Sequence, residues 1–109
     1  MKRGEIRWYT FPKPDKRRPV VILTRSSVLE YLNEVTVAPV TRTVRHIPSE
    51  VALSPEDGMP FVCAVNCDHI QTVSKTRIGP LIAVLCPEKN RELASAVAFA
   101  LGLQSVMGG

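Results

Sequence analysis

Apolar residues recur along this chain in short runs, separated by segments rich in proline, glycine and charge. The run at residues 20–23 is continuous, which is typical of a strand covered on both faces. Residues 34–41 alternate and are rich in valine, so they also predict a strand, with Pro39 near an edge or a strand end. Further strands are predicted at residues 4–11, 50–53, 61–73 and 78–85.

One helical pattern follows these strands. Residues 87–103 have Pro87 suited to a first turn and Gly102 suited to an end. Their apolar stripe consists of Leu93, Val97, Ala100 and Leu101. Residues 28–34 predict only a short helical turn. Several short strands followed by one helix indicate a mainly β fold, with a small, strongly curved sheet or barrel and a C-terminal helix.

Composition fits one globular domain over residues 1–109, since the hydrophobic fraction is 45%. No apolar stretch approaches the roughly 18 residues of a membrane-spanning helix, and an acid and an arginine stand where a signal peptide is apolar. We therefore expect a cytoplasmic protein without a membrane partner.

The net charge of +4, with basic clusters at residues 13–18 and 41–46, favours a polyanionic partner such as nucleic acid.

The three cysteines, Cys63, Cys67 and Cys86, do not suggest a disulfide framework, because their number is odd. In an extended strand, four residues span about 13 Å. The Cα atoms of a disulfide lie at most about 7 Å apart, and Zn–S bonds of about 2.3 Å also make a shared zinc ion with His69 difficult. We expect small buried apolar side chains, with no metal and no cofactor.

Four segments then carry a resemblance over nearly the whole chain. They are "KRGEIRW", "RRPVVIL", "VTVAPVT" and "AVNCDHIQTV", in that order. In order and spacing they resemble the MazF/PemK (Kid) family, the toxins of bacterial toxin–antitoxin pairs. The resemblance implies an SH3-like small β-barrel of the CcdB/MazF/Kid type with a C-terminal helix. It also implies a homodimer and a metal-independent endoribonuclease that cuts single-stranded RNA at short motifs.

Within this resemblance Arg18 and Thr41 match two catalytic positions of the family. A guanidinium can stabilise charge that develops on phosphoryl oxygens, and a hydroxyl can hold the scissile phosphate in line for attack. On its residue type alone, Arg18 also fits a solvated strand end, and Thr41 also fits an ordinary β-branched strand residue.

The segment around Asp68 matches the family's third catalytic position. PemK-type members carry an arginine two residues before this aspartate and a histidine in the first loop; here Asn66 stands at the former place and the loop has no histidine. Proton transfer is therefore open between Asp68 and His69. In a straight strand His69 shares a face with Cys67 and Gln71, whereas a bend changes this. We expect Asn66, Asp68 and Gln71 to read unstacked bases, and a structural role at a strand end is the alternative.

The first loop is short and basic. Lys13, Lys16 and Arg17 are expected to guide RNA phosphates, with His69 as a further contact to RNA. The family resemblance implies a cognate antitoxin, MazE-like or of another type, that competes for the RNA groove. Two other functions remain open: a non-enzymatic gyrase poison of the CcdB kind, and an inactive interaction module.

Overall fold

The computed structural model of the chain describes residues 1–12 and 16–104. Over these residues the chain forms seven strands and one α-helix. The strands are β1 (Glu5–Thr10), β2 (Arg17–Ile22), β3 (Glu34–Thr41), β4 (Glu50–Leu53), β5 (Cys63–Asn66), β6 (Gln71–Ser74) and β7 (Ile78–Val84), and the helix is α1 (Pro87–Ala100). The predicted fold class, mainly β with a C-terminal helix, is confirmed.

The strands form one antiparallel sheet in the order β4-β5-β3-β2-β1-β7, and β6 also pairs with β3. Strand β3 belongs to two ladders on the same edge. Its first half, Glu34–Val37, pairs with β6, and its last two residues, Val40 and Thr41, pair with β5. Because one strand changes partner halfway along, the sheet curls into a half-barrel.

The predicted long strand over residues 61–73 is interrupted. A 3-10 turn at Cys67–His69 separates β5 from β6, and the Asn66 side-chain oxygen accepts a hydrogen bond from the Asp68 backbone N–H at 3.0 Å. Asparagine commonly closes such turns in this way. The alternation expected of a straight strand therefore fails here, because Cys67 is buried while Asp68 and His69 are exposed.

Both faces of β2 are covered, as its continuous apolar run predicts. Val21 packs in one cluster with Ile6 and with Leu93 of α1, whereas Val20 and Ile22 pack in a second cluster on the opposite face. All three β2 side chains are 0% exposed. This double burial fixes β2 in the sheet, so its first residues, which are charged, emerge at a defined edge.

Helix α1 begins as the sequence predicts, with Pro87 in its first turn. Leu93, Val97 and Ala100 of the predicted apolar stripe pack on the sheet face of the Val21 cluster, but the prediction is wrong for Leu101, which lies past the helix end and is 58% exposed. The helix ends at Ala100, and Gly102 adopts a φ of 70°, a conformation that glycine accepts without strain. No helix within residues 1–12 and 16–104 is both long and apolar enough to cross a membrane.

Candidate functional site

A cavity of about 510 Å³ opens where β2 begins and β3 ends. It brings together four of the residues predicted from the sequence, namely Lys16, Arg17, Arg18 and Thr41. The complete described lining is Trp8, Lys16, Arg17, Arg18, Pro19, Val40, Thr41, Arg42, Thr43 and Phe61. This lining holds four cationic side chains and, among the residues that the structure describes, no acidic one. We call it the basic cavity.

The strand register explains why Arg18 and Thr41 line the same cavity. In the β2–β3 ladder Ile22 lies opposite Val37, and Val20 lies opposite Pro39. Continued by two residues, the same register places Arg18 opposite Thr41. Residues directly opposite in an antiparallel ladder share a face and have Cβ atoms about 4.5–5.5 Å apart. The pair therefore lies at the open end of the ladder, where Arg18 is exposed and Thr41 is half-buried.

Two arginines of the basic cavity lie over aromatic rings. The guanidinium carbon of Arg17 is 4.4 Å from the ring centroid of Trp8. The guanidinium carbon of Arg42 is 4.2 Å from the ring centroid of Phe61. Both distances are within the roughly 6 Å range of cation–π attraction. The rings thus hold two of the four cations in place.

A second cavity, of about 100 Å³, adjoins the first through Arg18. Its lining is Phe11, Arg18, Pro39, His69 and Gln71. Gln71 is brought there by the β3–β6 ladder, in which it lies opposite Val37. The structure therefore places His69 and Gln71 beside Arg18, although they follow it by some 50 residues in the chain.

Asn66 and Asp68 have other contacts. The hydroxyl of buried Ser49 donates to the Asp68 carboxylate at 2.6 Å, and the Ser49 carbonyl accepts from the Cys67 N–H at 3.0 Å. Asn66, which is 8% exposed, caps the 3-10 turn and lies opposite Glu50 in the β4–β5 ladder. Neither Asn66 nor Asp68 is among the described residues that line the two cavities. Their catalytic and base-reading roles stay predictions.

Lys13 lies outside the described residues. The expectation of buried cysteine thiols is confirmed for Cys63 and Cys67 and is wrong for Cys86, which is exposed. Burial, together with Asp57, raises the pKa of Cys63 to about 11, and burial together with Asp68 and Glu50 raises the pKa of Cys67 to about 11. Both are therefore protonated thiols near neutral pH.

The sequence did not single out Arg42 or Phe61. A weak signal existed for Arg42, since it belongs to the basic cluster at residues 41–46 and directly follows Thr41. Phe61 carried no such signal, because an aromatic residue beside an apolar run usually packs in the core. Its neighbour Val62 is 63% exposed, whereas Phe61 packs against the Val21 cluster.

Comparison with known proteins extends over nearly the whole chain. The profile of the family described as PemK-like, MazF-like toxin of type II toxin-antitoxin system matches residues 2–101. Endoribonuclease MazF3 of Mycobacterium tuberculosis is 40% identical over 93 residues, covering 85% of this chain and 90% of that protein. The probable endoribonuclease MazF2 of the same organism is 35% identical over 103 residues, covering 94% of this chain and 99% of that protein.

Solved structures agree with the sequence relatives. The Mycobacterium tuberculosis toxin MazF-mt6 has a TM-score of 0.83 and 37% identity, and the match covers 91% of this chain and 97% of that one. An endoribonuclease from a mycobacterial species, solved in complex with its cognate antitoxin, has a TM-score of 0.84 and 27% identity, and the match covers 94% and 96% of the two chains.

Proposed function

We propose that this chain, which belongs to the PemK-like, MazF-like toxins of type II toxin–antitoxin systems and is an endoribonuclease, cuts single-stranded RNA. The observation that carries this proposal is the basic cavity. Arg18 and Thr41 line it together, and its described lining holds four cations and no acid. Such a surface suits the phosphate backbone of a nucleic acid.

Arg18 is proposed to stabilise the transition state. When the ribose 2′-oxygen attacks phosphorus, negative charge builds on the phosphoryl oxygens. A guanidinium is always charged and offers a planar fork of donors that matches these oxygens. A donor fixed in advance at such a position contributes about 2.7–4 kcal/mol to lowering a barrier. Arg18 stands at a strand end whose backbone is fixed by the buried residues of β2, and it lines the basic cavity.

Thr41 is proposed to orient the phosphate. Its side-chain oxygen accepts a hydrogen bond from the Thr43 backbone N–H at 3.1 Å. This contact occupies an acceptor site of the hydroxyl and leaves its proton available for a phosphoryl oxygen. A hydroxyl held in this way can keep the phosphorus in line with the attacking 2′-oxygen.

The proposed reaction is a transesterification that needs two proton transfers. A base takes the proton of the 2′-hydroxyl, the new bond from the 2′-oxygen to phosphorus forms, and the bond from phosphorus to the 5′-oxygen breaks. An acid then supplies a proton to the 5′-oxygen. The products are a 2′,3′-cyclic phosphate and a 5′-hydroxyl end.

His69 and Asp68 are the candidates for these proton transfers. His69 lines the smaller cavity with Arg18, and histidine is the side chain that most often serves as a general acid or base. Asp68 is one residue away, and its carboxylate accepts the hydrogen bond of Ser49. If Asp68 transfers a proton, its carboxylate does so either while it accepts the Ser49 hydrogen bond or after that bond is broken.

The proposal also covers the contacts to RNA, the protein partners and the cellular location. Lys16 and Arg17 contact phosphates from the wall of the basic cavity, with Lys13 as a further contact, and Gln71 reads a base beside Arg18. We propose metal-independent chemistry, a homodimer and a cytoplasmic location, in keeping with the family resemblance and with RNA as substrate. A cognate antitoxin is proposed to occupy the same groove; a relative at 27% identity was solved with its cognate antitoxin.

The test is cleavage of a random-sequence single-stranded RNA pool in EDTA, with the ends of the products identified chemically. We expect cleavage with 2′,3′-cyclic phosphate ends, and a rate about 10²–10³-fold lower for Arg18→Ala. Arg77→Ala, an exposed arginine outside both cavities, is the matched control. Equal cleavage by Arg18→Ala and wild type would remove Arg18 from the mechanism. No cleavage by folded wild-type protein would favour an interaction module.

A further inference from the structure

We propose that Arg42 and Phe61 form a nucleobase-stacking subsite in the basic cavity, which selects the base of a nucleotide next to the scissile phosphate. The inference rests on the proposed nuclease function and adds a specificity determinant to it. Its starting observation is that both residues line the same cavity as Arg18 and Thr41. The guanidinium carbon of Arg42 lies over the Phe61 ring, 4.2 Å from its centroid.

The two partners are held differently. Phe61 is half-buried and packs against the Val21 cluster, so the core fixes its ring. Arg42 is exposed, and its guanidinium carbon lies over this ring. A guanidinium has two faces, and unstacked bases of single-stranded RNA stack on both aromatic rings and arginine planes. Arg42 can therefore be sandwiched between Phe61 and a base.

The position of Arg42 in the chain defines which base it meets. Arg42 directly follows Thr41, and consecutive Cα atoms are about 3.8 Å apart. A phosphate held by Arg18 and Thr41 thus has its own nucleotide, or the adjacent one, within reach of Arg42. A subsite so close to the reacting atoms affects where the strand is cut as well as how tightly it is bound.

Charge alone does not account for this pair. The other cations of the basic cavity, Lys16, Arg17 and Arg18, already attract phosphates regardless of sequence. What Phe61 adds is an apolar ring, packed against the core, over which the Arg42 guanidinium lies. A stacking subsite therefore predicts a dependence on bases, and purely electrostatic binding predicts none.

The experiment compares two strands that share their phosphates and differ in their bases. The probes are a random-sequence single-stranded deoxy 15-mer, which has no 2′-hydroxyl and cannot be cut by this reaction, and an abasic 15-mer. Wild type should bind the base-bearing strand about fivefold or more tightly, as expected for one stacked base. Phe61→Leu removes the π face and Arg42→Lys removes the planar group while keeping its charge, and each should lower this ratio.

Two matched controls lie beside these positions. Val62→Ala changes the exposed apolar neighbour of Phe61, and Arg45→Lys changes an exposed arginine of the same loop. Neither position is among the described residues lining the basic cavity, so both controls should keep the wild-type ratio. On cleavable RNA, mapping of the cut ends should show that base preference weakens at one position beside the cut in Phe61→Leu and Arg42→Lys.

The outcomes separate this inference from the nuclease proposal. If Phe61→Leu and Arg42→Lys both keep the wild-type ratio of affinities for the base-bearing and abasic strands, the stacking subsite is wrong. The nuclease proposal is not affected by that result. If the wild type cuts no RNA and the two variants still lower the binding ratio, the nuclease proposal is wrong. The stacking subsite is then kept as part of a binding module. Should Phe61→Leu fail to give a cooperative thermal transition, the exposed Arg42→Lys variant decides the question alone.

Discussion

The contact between Ser49 and Asp68 gives a stability prediction whose size follows from burial. Ser49 is 2% exposed and donates its hydroxyl proton to the Asp68 carboxylate at 2.6 Å. In Asp68→Ala this buried hydroxyl loses its acceptor, and an unsatisfied buried polar group costs about 1–3 kcal/mol. In Ser49→Ala the exposed Asp68 carboxylate turns to water instead. We therefore expect Asp68→Ala to cost about 2 kcal/mol and Ser49→Ala about 1 kcal/mol.

The assay is urea denaturation of wild type, both single variants and the double variant. The free energies of unfolding should show a coupling of about 1 kcal/mol between the two positions, because the contact is lost only once. Asp68→Asn keeps an acceptor oxygen and should lie closer to wild type than Asp68→Ala. Strictly additive losses, or a more costly Ser49→Ala, would refute the reasoning. Cleavage by Asp68→Asn then tests the catalytic role apart from this structural one.

Two further predictions concern the sheet and the thiols. A Cβ atom at position 79 would lie 2.9 Å from the Trp8 carbonyl oxygen, so Gly79→Ala should lower the free energy of unfolding by about 1–3 kcal/mol in thermal or urea denaturation. An unchanged free energy of unfolding would refute this close approach. The thiols of Cys63 and Cys67 are buried and their pKa is raised to about 11, so iodoacetamide at pH 8 should alkylate only the exposed Cys86 in the native chain. After denaturation all three cysteines should react. Rapid alkylation of all three in the native protein would contradict the burial of Cys63 and Cys67.

Much of the fold follows from hydrophobic patterning. The run at residues 20–23 predicts a strand covered on both faces, and the structure divides its side chains between two core clusters. The interruption after Asn66 was not predicted as a turn, since residues 61–73 are compatible with one strand on periodicity alone. Its cause is a side-chain hydrogen bond to the Asp68 N–H, which competes with the ladder.

The candidate site was predicted in part, for a physical reason. Residue type and family resemblance single out Arg18 and Thr41, but it is the strand register, continued two residues beyond the Val20–Pro39 pair, that places them opposite each other. The contact between Arg42 and Phe61 joins positions 19 residues apart through the packing of a loop against the core, and no local pattern encodes it. His69 lies in the 3-10 turn between β5 and β6, and it lines the smaller cavity together with Arg18.

Single-turnover cleavage by Arg18→Ala, Thr41→Ala and the double variant tests most directly whether these two residues act on one phosphodiester. If they do, Arg18→Ala slows cleavage about 10²–10³-fold, and the double variant is hardly slower than Arg18→Ala, because residues that act as a unit are not additive. Independent effects that multiply in the double variant would contradict the account, as would wild-type rates in Arg18→Ala.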